Sequence, residues 1–256
     1  MGPAGEAFAA LTATILGPRA PCYVHAPMDF ARYSRTHRHF RSERLPPLLA
    51  RVASPGVIAD IGAGDGSVLY ALSRHGRLGA KSYAIDASPE RVAAAVDAAP
   101  HVLGVVADAT SLPLEDKSVD GIVCSQVIEH VPDSNRVVAE IARILRPGGW
   151  WYVGSVLRGQ YSWWIYRRDG RWWLDPTHVR EYSSEEEFRA ALAHPELELT
   201  TLTTSRFRFP LVELALRAAI ALRLVPPRAY RTDRGGPELS PPGYRMIEAA
   251  GQRRAS

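Results

Sequence analysis

Three glycines at every second position follow an aspartate in Asp60-Ile61-Gly62-Ala63-Gly64-Asp65-Gly66, and no other stretch of the 256-residue chain points so directly to chemistry. An apolar run ends at an acid, and the glycines let the backbone turn sharply and approach a ligand with no Cβ in the way. The helical pattern from Val68 to Ser73 aims its free N–H groups back at the same spot, an arrangement suited to a nucleotide-type ligand. A second apolar run ends at Asp86-Ala87, about 20 residues beyond the loop, where a carboxylate can accept hydrogen bonds from both ribose hydroxyls. A third ends at the acid-small pair Asp108-Ala109. Two histidines add acid–base capacity. His130 either orients the loop before a helix capped by Asp133 or Ser134, or contacts cofactor or substrate; His178 stands in His178-Val179-Arg180-Glu181-Tyr182. His178 has no second histidine or cysteine near it in the chain, so no metal site is expected.

Strands alternating with helices must position these groups. Short apolar runs bounded by turn formers predict strands at Val57–Ile61, Lys81–Asp86, Val102–Ala107 and Gly121–Ser125, with a fifth from Trp150. Between them lie periodic segments, among them Arg91–Ala98, opened by Ser88, Pro89 and Glu90 as cap, first-turn proline and first-turn acid. Arg136–Leu145 reads as an amphipathic helix stopped by Arg146-Pro147-Gly148-Gly149. Ser42–Val52 reads as a helix interrupted at Pro46-Pro47, and Glu198–Phe207 as a strand. Leu211–Val225 reads as an apolar helix, and Gly243–Ala249 as a last edge strand before a basic tail. This is the order of an α/β fold with a parallel sheet.

Hydrophobic residues make up 46% of the chain and charged residues 23%, as in ordinary globular proteins. A net charge of +4 allows an acidic partner without demanding nucleic acid. Cys22 and Cys124 cannot form a disulfide framework, which fits a reducing compartment. No run approaches the roughly 18–20 apolar residues of a membrane span, and no leader pattern is visible. The expectation is a soluble, cytoplasmic protein; the apolar C-terminal helix leaves peripheral membrane contact open. All six tryptophans fall between Trp150 and Trp173. Those beyond the fifth strand, including Trp163 and Trp164, sit among arginines and form a mini-core, a lid over an apolar substrate, or a stacking surface.

The glycine pattern departs from the dinucleotide fingerprint, which wants a glycine where Ser67 stands. It resembles motif I of the class I S-adenosylmethionine (SAM) methyltransferases, near the type 11 group that includes quinone-biosynthesis enzymes. The resemblance extends over roughly residues 45–205 through Asp108-Ala109 with Leu112-Pro113-Leu114, Glu129-His130-Val131, and Leu145-Arg146-Pro147-Gly148-Gly149. It implies a Rossmann-like class I methyltransferase fold, a mostly parallel seven-stranded sheet with an antiparallel final strand, flanked by helices. Residues 46–207 would form the SAM-binding domain, with an aromatic insertion at 156–180, after a lid at 1–45; residues 208–256 would complete it.

By the same resemblance, Gly62, Ala63, Gly64 and Gly66 carry the methionine part of the cofactor and Asp60 its ammonium group. Asp86 and Ala87 meet the ribose, Asp108 and Ala109 the adenine, and Ser125 and Gln126 the sulfonium. Tyr33, with Arg38 and Arg41 as alternatives, reaches the SAM carboxylate from the lid. His130 and His178 face the acceptor, with His178 orienting or deprotonating it; Trp163 and Trp164 join them as substrate-side candidates on the lid reading of the insertion, not on the resemblance. The implied activity is in-line methyl transfer to a small-molecule or lipid-like acceptor, releasing S-adenosylhomocysteine (SAH). An RNA or protein methyltransferase, a non-catalytic SAM/SAH-binding module and, more distantly, an NAD enzyme stand as alternatives.

Overall fold

Strand β1, Ile58–Ile61, is buried at all four positions and lies between two parallel neighbours, β2 (Tyr83–Asp86) and β4 (Val119–Ser125). A strand covered on both faces must be apolar throughout, which is why these segments read as continuous hydrophobic runs instead of alternating ones. The structure, a computed structural model, describes residues 43–164, 166–210 and 238–255, together with Ala219 and Leu224. Tyr33, Arg38, Arg41 and nearly all of the apolar segment 211–225 lie outside the described residues.

The main sheet has seven strands in the order β3-β2-β1-β4-β5-β11-β8. Here β3 is Leu103–Val106, β5 is Leu145–Arg158, β8 is Leu197–Arg206 and β11 is Tyr244–Arg253. Only β11 runs antiparallel to its neighbours, pairing with β5 on one side and β8 on the other. The chain leaves β1 toward β2 and β3, then returns to β4 and β5 on the other side. The strand order thus reverses between β1 and β4, and a crevice at the carboxyl ends of such strands is where open α/β sheets hold ligands.

Helices α1 (Pro47–Val52), α2 (Ser67–Arg74), α3 (Pro89–Ala98), α4 (Ser134–Ile144) and α5 (Glu185–Ala191) flank this sheet. The side chain of Ser88 caps α3 by accepting from Arg91 N, and Asp133 caps α4 by accepting from Arg136 N. Neighbouring residues of β5 serve opposite faces. Trp150 and Tyr152 pack with Leu48, Leu49 and Leu72, whereas Trp151 and Val153 join the larger core with Val137, Val138 and Ile141 of α4. Cys124 is buried in β4 as a free thiol.

Three boundaries differ from the sequence expectation. The first helix begins at Pro47, so the proline pair opens a short helix instead of interrupting a long one: proline's fixed φ suits the first turn and its missing N–H costs nothing there. The fifth strand starts at Leu145, five residues early. Leu145 pairs with Val119 and Trp150 with Gly121, so Arg146–Gly149 form an irregularity within the strand. Finally, β11 is an interior strand and β8 is the edge. The segment read as a basic tail belongs to the sheet: Arg253 is buried and donates to the carbonyl of Leu145 (2.5 Å) and to Glu196 Oε2 (3.0 Å). An arginine whose acceptors are a carbonyl of β5 and the carboxylate just before β8 can be held at the end of a strand.

Past β5 the chain forms a hairpin, β6 (Tyr166–Arg168) and β7 (Arg171–Trp173), turning at Asp169 and Gly170, both at positive φ. Asp-Gly between strand-forming residues is a hairpin signal that the sequence reading missed. Beyond it, β9 (Phe209–Pro210) pairs with β10 (Glu238–Leu239).

Candidate active site at the carboxyl ends of the parallel strands

The glycine turn joins β1 to α2, and Ala63 N donates to the carbonyl of Ile85, tying the turn to the end of β2 (2.8 Å). All three glycines have positive φ, +70° at Gly62, +54° at Gly64 and +76° at Gly66, but space around them differs. A Cβ on Gly62 would run into Val127, and one on Gly66 would lie 2.6 Å from the Cα of Ala95. One on Gly64 would meet nothing nearer than 3.8 Å. Gly62 and Gly66 therefore let the turn pack against its own protein, while Gly64 keeps the open side of the turn clear.

Asp60 and Asp86 stand at the ends of adjacent strands. Asp86 accepts from Gly64 N through Oδ2 (3.0 Å) and from Ser88 N through Oδ1 (2.9 Å), so it joins the glycine turn to the cap of α3. Each oxygen keeps a second lone pair for a ligand hydroxyl. Burial raises the Asp86 carboxyl above its usual range, an effect opposed by Arg91 and the two backbone donors. Asp60 is fully enclosed and its Oδ2 has no hydrogen-bond partner. Burial, reinforced by the nearby charge of Asp86, pushes its pKa up to about 8. Asp108, beyond β3, accepts from Thr110 N and Oγ1, both at 2.8 Å, closing a tight turn around Ala109. Ser125 ends β4, and Gln126 follows at φ +59°, a left-handed conformation that is costly for a residue with a Cβ. Its side chain donates to Met246 Sδ (3.8 Å).

Asp86→Ala takes an acceptor from the glycine turn as well as from any bound nucleoside. At roughly 1.5–3 kcal/mol per hydrogen bond to a charged group, SAH affinity is expected to fall at least tenfold. Unchanged affinity in a titration would remove Asp86 from the site.

Beside β4 the chain assembles a second cluster from distant segments. Val179 N (2.9 Å) and Arg180 N (3.3 Å) both donate to the carbonyl of Glu129, laying the 177–182 segment across the loop after β4. His178 thereby meets His130, their ring centroids 4.7 Å apart at an edge-on angle of 70°. His130 Nδ1 bonds to Thr177 Oγ1 (2.8 Å), and His178 Nδ1 to Glu181 Oε1 (3.0 Å). His178, with no second histidine near it in the chain, thus has one in ring contact across 48 residues of sequence. His130 is pushed down to about 3 by desolvation and by the charge of His178. His178 moves the other way: burial alone would lower it, but its hydrogen bond to Glu181 and the carboxylates of Glu129 and Asp175 outweigh that.

Glu181 is the residue the sequence reading passed over. Its side chain is fully buried; besides His178 it accepts from Leu174 N (2.7 Å) and from the hydroxyl of Tyr244 (3.4 Å). Arg158 and Arg171 lie 3.9 and 4.0 Å away. The His-x-x-Glu spacing was the available signal. Trp173 carries the guanidinium groups of Arg168 and Arg171 at 4.1 and 4.0 Å from its ring centroid, and Arg168 donates to the carbonyl of His178 (2.7 Å). Trp164 is buried with Val156, Leu174 and Tyr244 in a small core, whereas Trp163 is 53% exposed.

The two clusters are neighbours. The buried thiol of Cys124, already raised by desolvation, feels both the Glu129 and the Asp60 carboxylates. The fold, strand order and strand-end acids together define the class I methyltransferase fold. Residues 59–153 match the family model described as "Methyltransferase domain". Over 121 residues the chain is 35% identical to a ubiquinone biosynthesis O-methyltransferase of Xanthomonas campestris, covering 45% of this chain and 49% of that one. It is 32% identical over 117 residues to an uncharacterized methyltransferase of Mycobacterium tuberculosis, covering 46% of each. The chain spans about half the length of the curated relatives it matches. A SAM-dependent methyltransferase of Methanosarcina mazei superimposes with a TM-score of 0.55 at 18% identity, covering 83% of this chain and 99% of that one.

The cofactor of this class is SAM, and the residues present fit it on one structural observation. The Asp60 oxygen without a partner is a buried acceptor beside the glycine turn, which a ligand ammonium group would satisfy. No described helix is long and apolar enough to cross a membrane.

Proposed function

We propose that the chain binds SAM in the crevice between β1 and β4 and methylates a hydroxyl of a small-molecule or lipid-like acceptor held beside β4 and β5. The observation that carries this reading is the enclosed, unpartnered carboxylate oxygen of Asp60, placed at the glycine turn and next to the strand-end acid Asp86. In this reading Asp60 takes the ammonium group, Asp86 the ribose hydroxyls and Asp108 with Ala109 the adenine. Ser125 and the strained Gln126 border the reacting centre. When bound, the cofactor supplies an activated methyl group on sulfur. The chain's own residues align the acceptor, exclude water and manage the acceptor's proton. The histidine pair stands where that proton would be handled, and the name of the Xanthomonas relative favours an oxygen acceptor.

Calorimetric titration with SAH, with NAD as a parallel control, tests the cofactor. Micromolar SAH binding with silence for NAD supports the reading, and the reverse pattern rejects it. Phenolic and isoprenoid alcohols are then the first acceptors to screen. His178→Ala is expected to leave SAH affinity within about threefold of wild type, since no cofactor contact is assigned to it, while turnover falls about 10²–10⁴-fold, the usual range for a residue that manages a proton. Loss of SAH binding in that variant would move His178 to the cofactor side.

A further inference from the structure

We propose that Glu129, His130 and His178 bind one first-row divalent cation at the acceptor side of the crevice. The acceptor-side role rests on the function proposed above; cation binding itself does not. One carboxylate oxygen and one ring nitrogen from each histidine lie within 4.8 Å of one another. The hydrogen bonds around the cluster occupy Nδ1 of each ring and leave Nε2 available. Thr177 Oγ1 donates its single proton to Asp175 Oδ1 (2.6 Å), so toward His130 it acts as acceptor and fixes the Nδ1–H tautomer. Glu181, a buried carboxylate, likewise accepts from His178 Nδ1. Each ring is thereby left presenting the lone pair of Nε2.

Glu129 is held in the same manner. Its Oε2 accepts from Ser155 Oγ (2.9 Å), while Oε1 is buried with no hydrogen-bond partner. With both rings neutral, the cluster offers two imidazole lone pairs beside a buried carboxylate oxygen that has no hydrogen-bond partner. A divalent cation taking the place of any ring proton there would satisfy all three at once.

Two imidazoles with one carboxylate favour zinc, manganese, iron(II) or cobalt over calcium or magnesium, which prefer oxygen ligands throughout. Ligand atoms at about 2.0–2.2 Å from a metal can be at most roughly 4.4 Å apart, so binding would draw the cluster inward slightly. Three protein ligands leave coordination positions open, and an acceptor hydroxyl is the chemistry that would fill one. The outer partners also match the pattern of metal sites. Each histidine is oriented through its second nitrogen, and the orienting groups are themselves held, Thr177 by Asp175 and Glu181 by Leu174 N.

The test uses the full chain, stripped with a chelator and titrated separately with Zn²⁺ and Mn²⁺. One equivalent should bind to wild type, and Co²⁺ should give visible d–d absorption. Glu129→Gln, close to isosteric at a buried position, and His130→Gln should each weaken the cation at least tenfold, with the SAH titration confirming that each variant is folded. Glu181→Gln should weaken it about 10–100-fold by releasing His178. His75→Ala, an exposed histidine elsewhere, should change nothing. No stoichiometric binding by protein that still binds SAH overturns the proposal, and so does binding that survives both Glu129→Gln and His130→Gln. Cation binding without SAH binding would instead refute the methyltransferase reading and leave the cation site standing.

Discussion

Asp60→Asn is expected to weaken SAH by roughly 10–100-fold at pH 8, the cost of losing one buried charge-assisted hydrogen bond. The same change should remove the pH dependence of binding. An ammonium ligand needs the Asp60 carboxylate ionised, yet the free site holds its proton up to about pH 8. Binding at pH 7 should therefore release close to one proton, and affinity should rise about ninefold between pH 6 and pH 7. Calorimetry in two buffers of different ionisation enthalpy counts that proton directly. The variant should release almost none. Stability should move oppositely. A carboxyl raised in the folded state retains a proton that the unfolded chain has lost, so wild type loses stability as pH rises from about 4 to about 8, then levels off. The asparagine variant lacks that slope, and its melting temperature relative to wild type should climb across the same window. Equal proton release by both proteins would mean that Asp60 does not meet the ligand's charge.

Gly66→Ala should damage the fold, and Gly64→Ala the ligand site. At Gly66 a methyl group would lie 2.6 Å from the backbone of Ala95 and 3.0 Å from two further methyl carbons, on a residue held at φ +76°. Overpacking at about 1–3 kcal/mol, plus about 1 kcal/mol for the left-handed conformation, predicts a loss of roughly 2–4 kcal/mol. For a chain of this size that is a drop in melting temperature of roughly 5–15 °C. Gly64 incurs only the conformational term, so Gly64→Ala should melt within a few degrees of wild type. Its added methyl, on the open side of the turn, should cost SAH affinity at least tenfold. Thermal melts paired with SAH titrations separate the two. Equal destabilisation of both variants would mean that conformation alone, and not the contact with α3, governs the turn.

These contrasts mark how far the sequence could be read. Asp60, the three glycines, Asp86 and Asp108 were legible because each belongs to a strand, a turn and a helix contiguous in the chain, where apolar runs and turn residues carry the information locally. Sequence spacing could not tell that two of the glycines make room for Val127 and Ala95, since those contacts come from later segments. Nor could it place Pro47 at a helix start, because that depends on Leu48 and Leu49 finding a core built partly from Trp150, Tyr152 and Ala250.

By itself, then, the sequence determined the α/β order, the nucleotide-type turn and the strand-end acids, all products of short-range periodicity and backbone freedom. The tertiary structure alone decided that Tyr244–Arg253 enters the sheet between β5 and β8, that Glu181 becomes a buried anchor, and that His130 meets His178. The reason is physical: such encounters are set by the register of long-range strand pairing and by the two backbone hydrogen bonds that lay residues 179 and 180 against Glu129. Nothing in the local pattern of either segment encodes its partner.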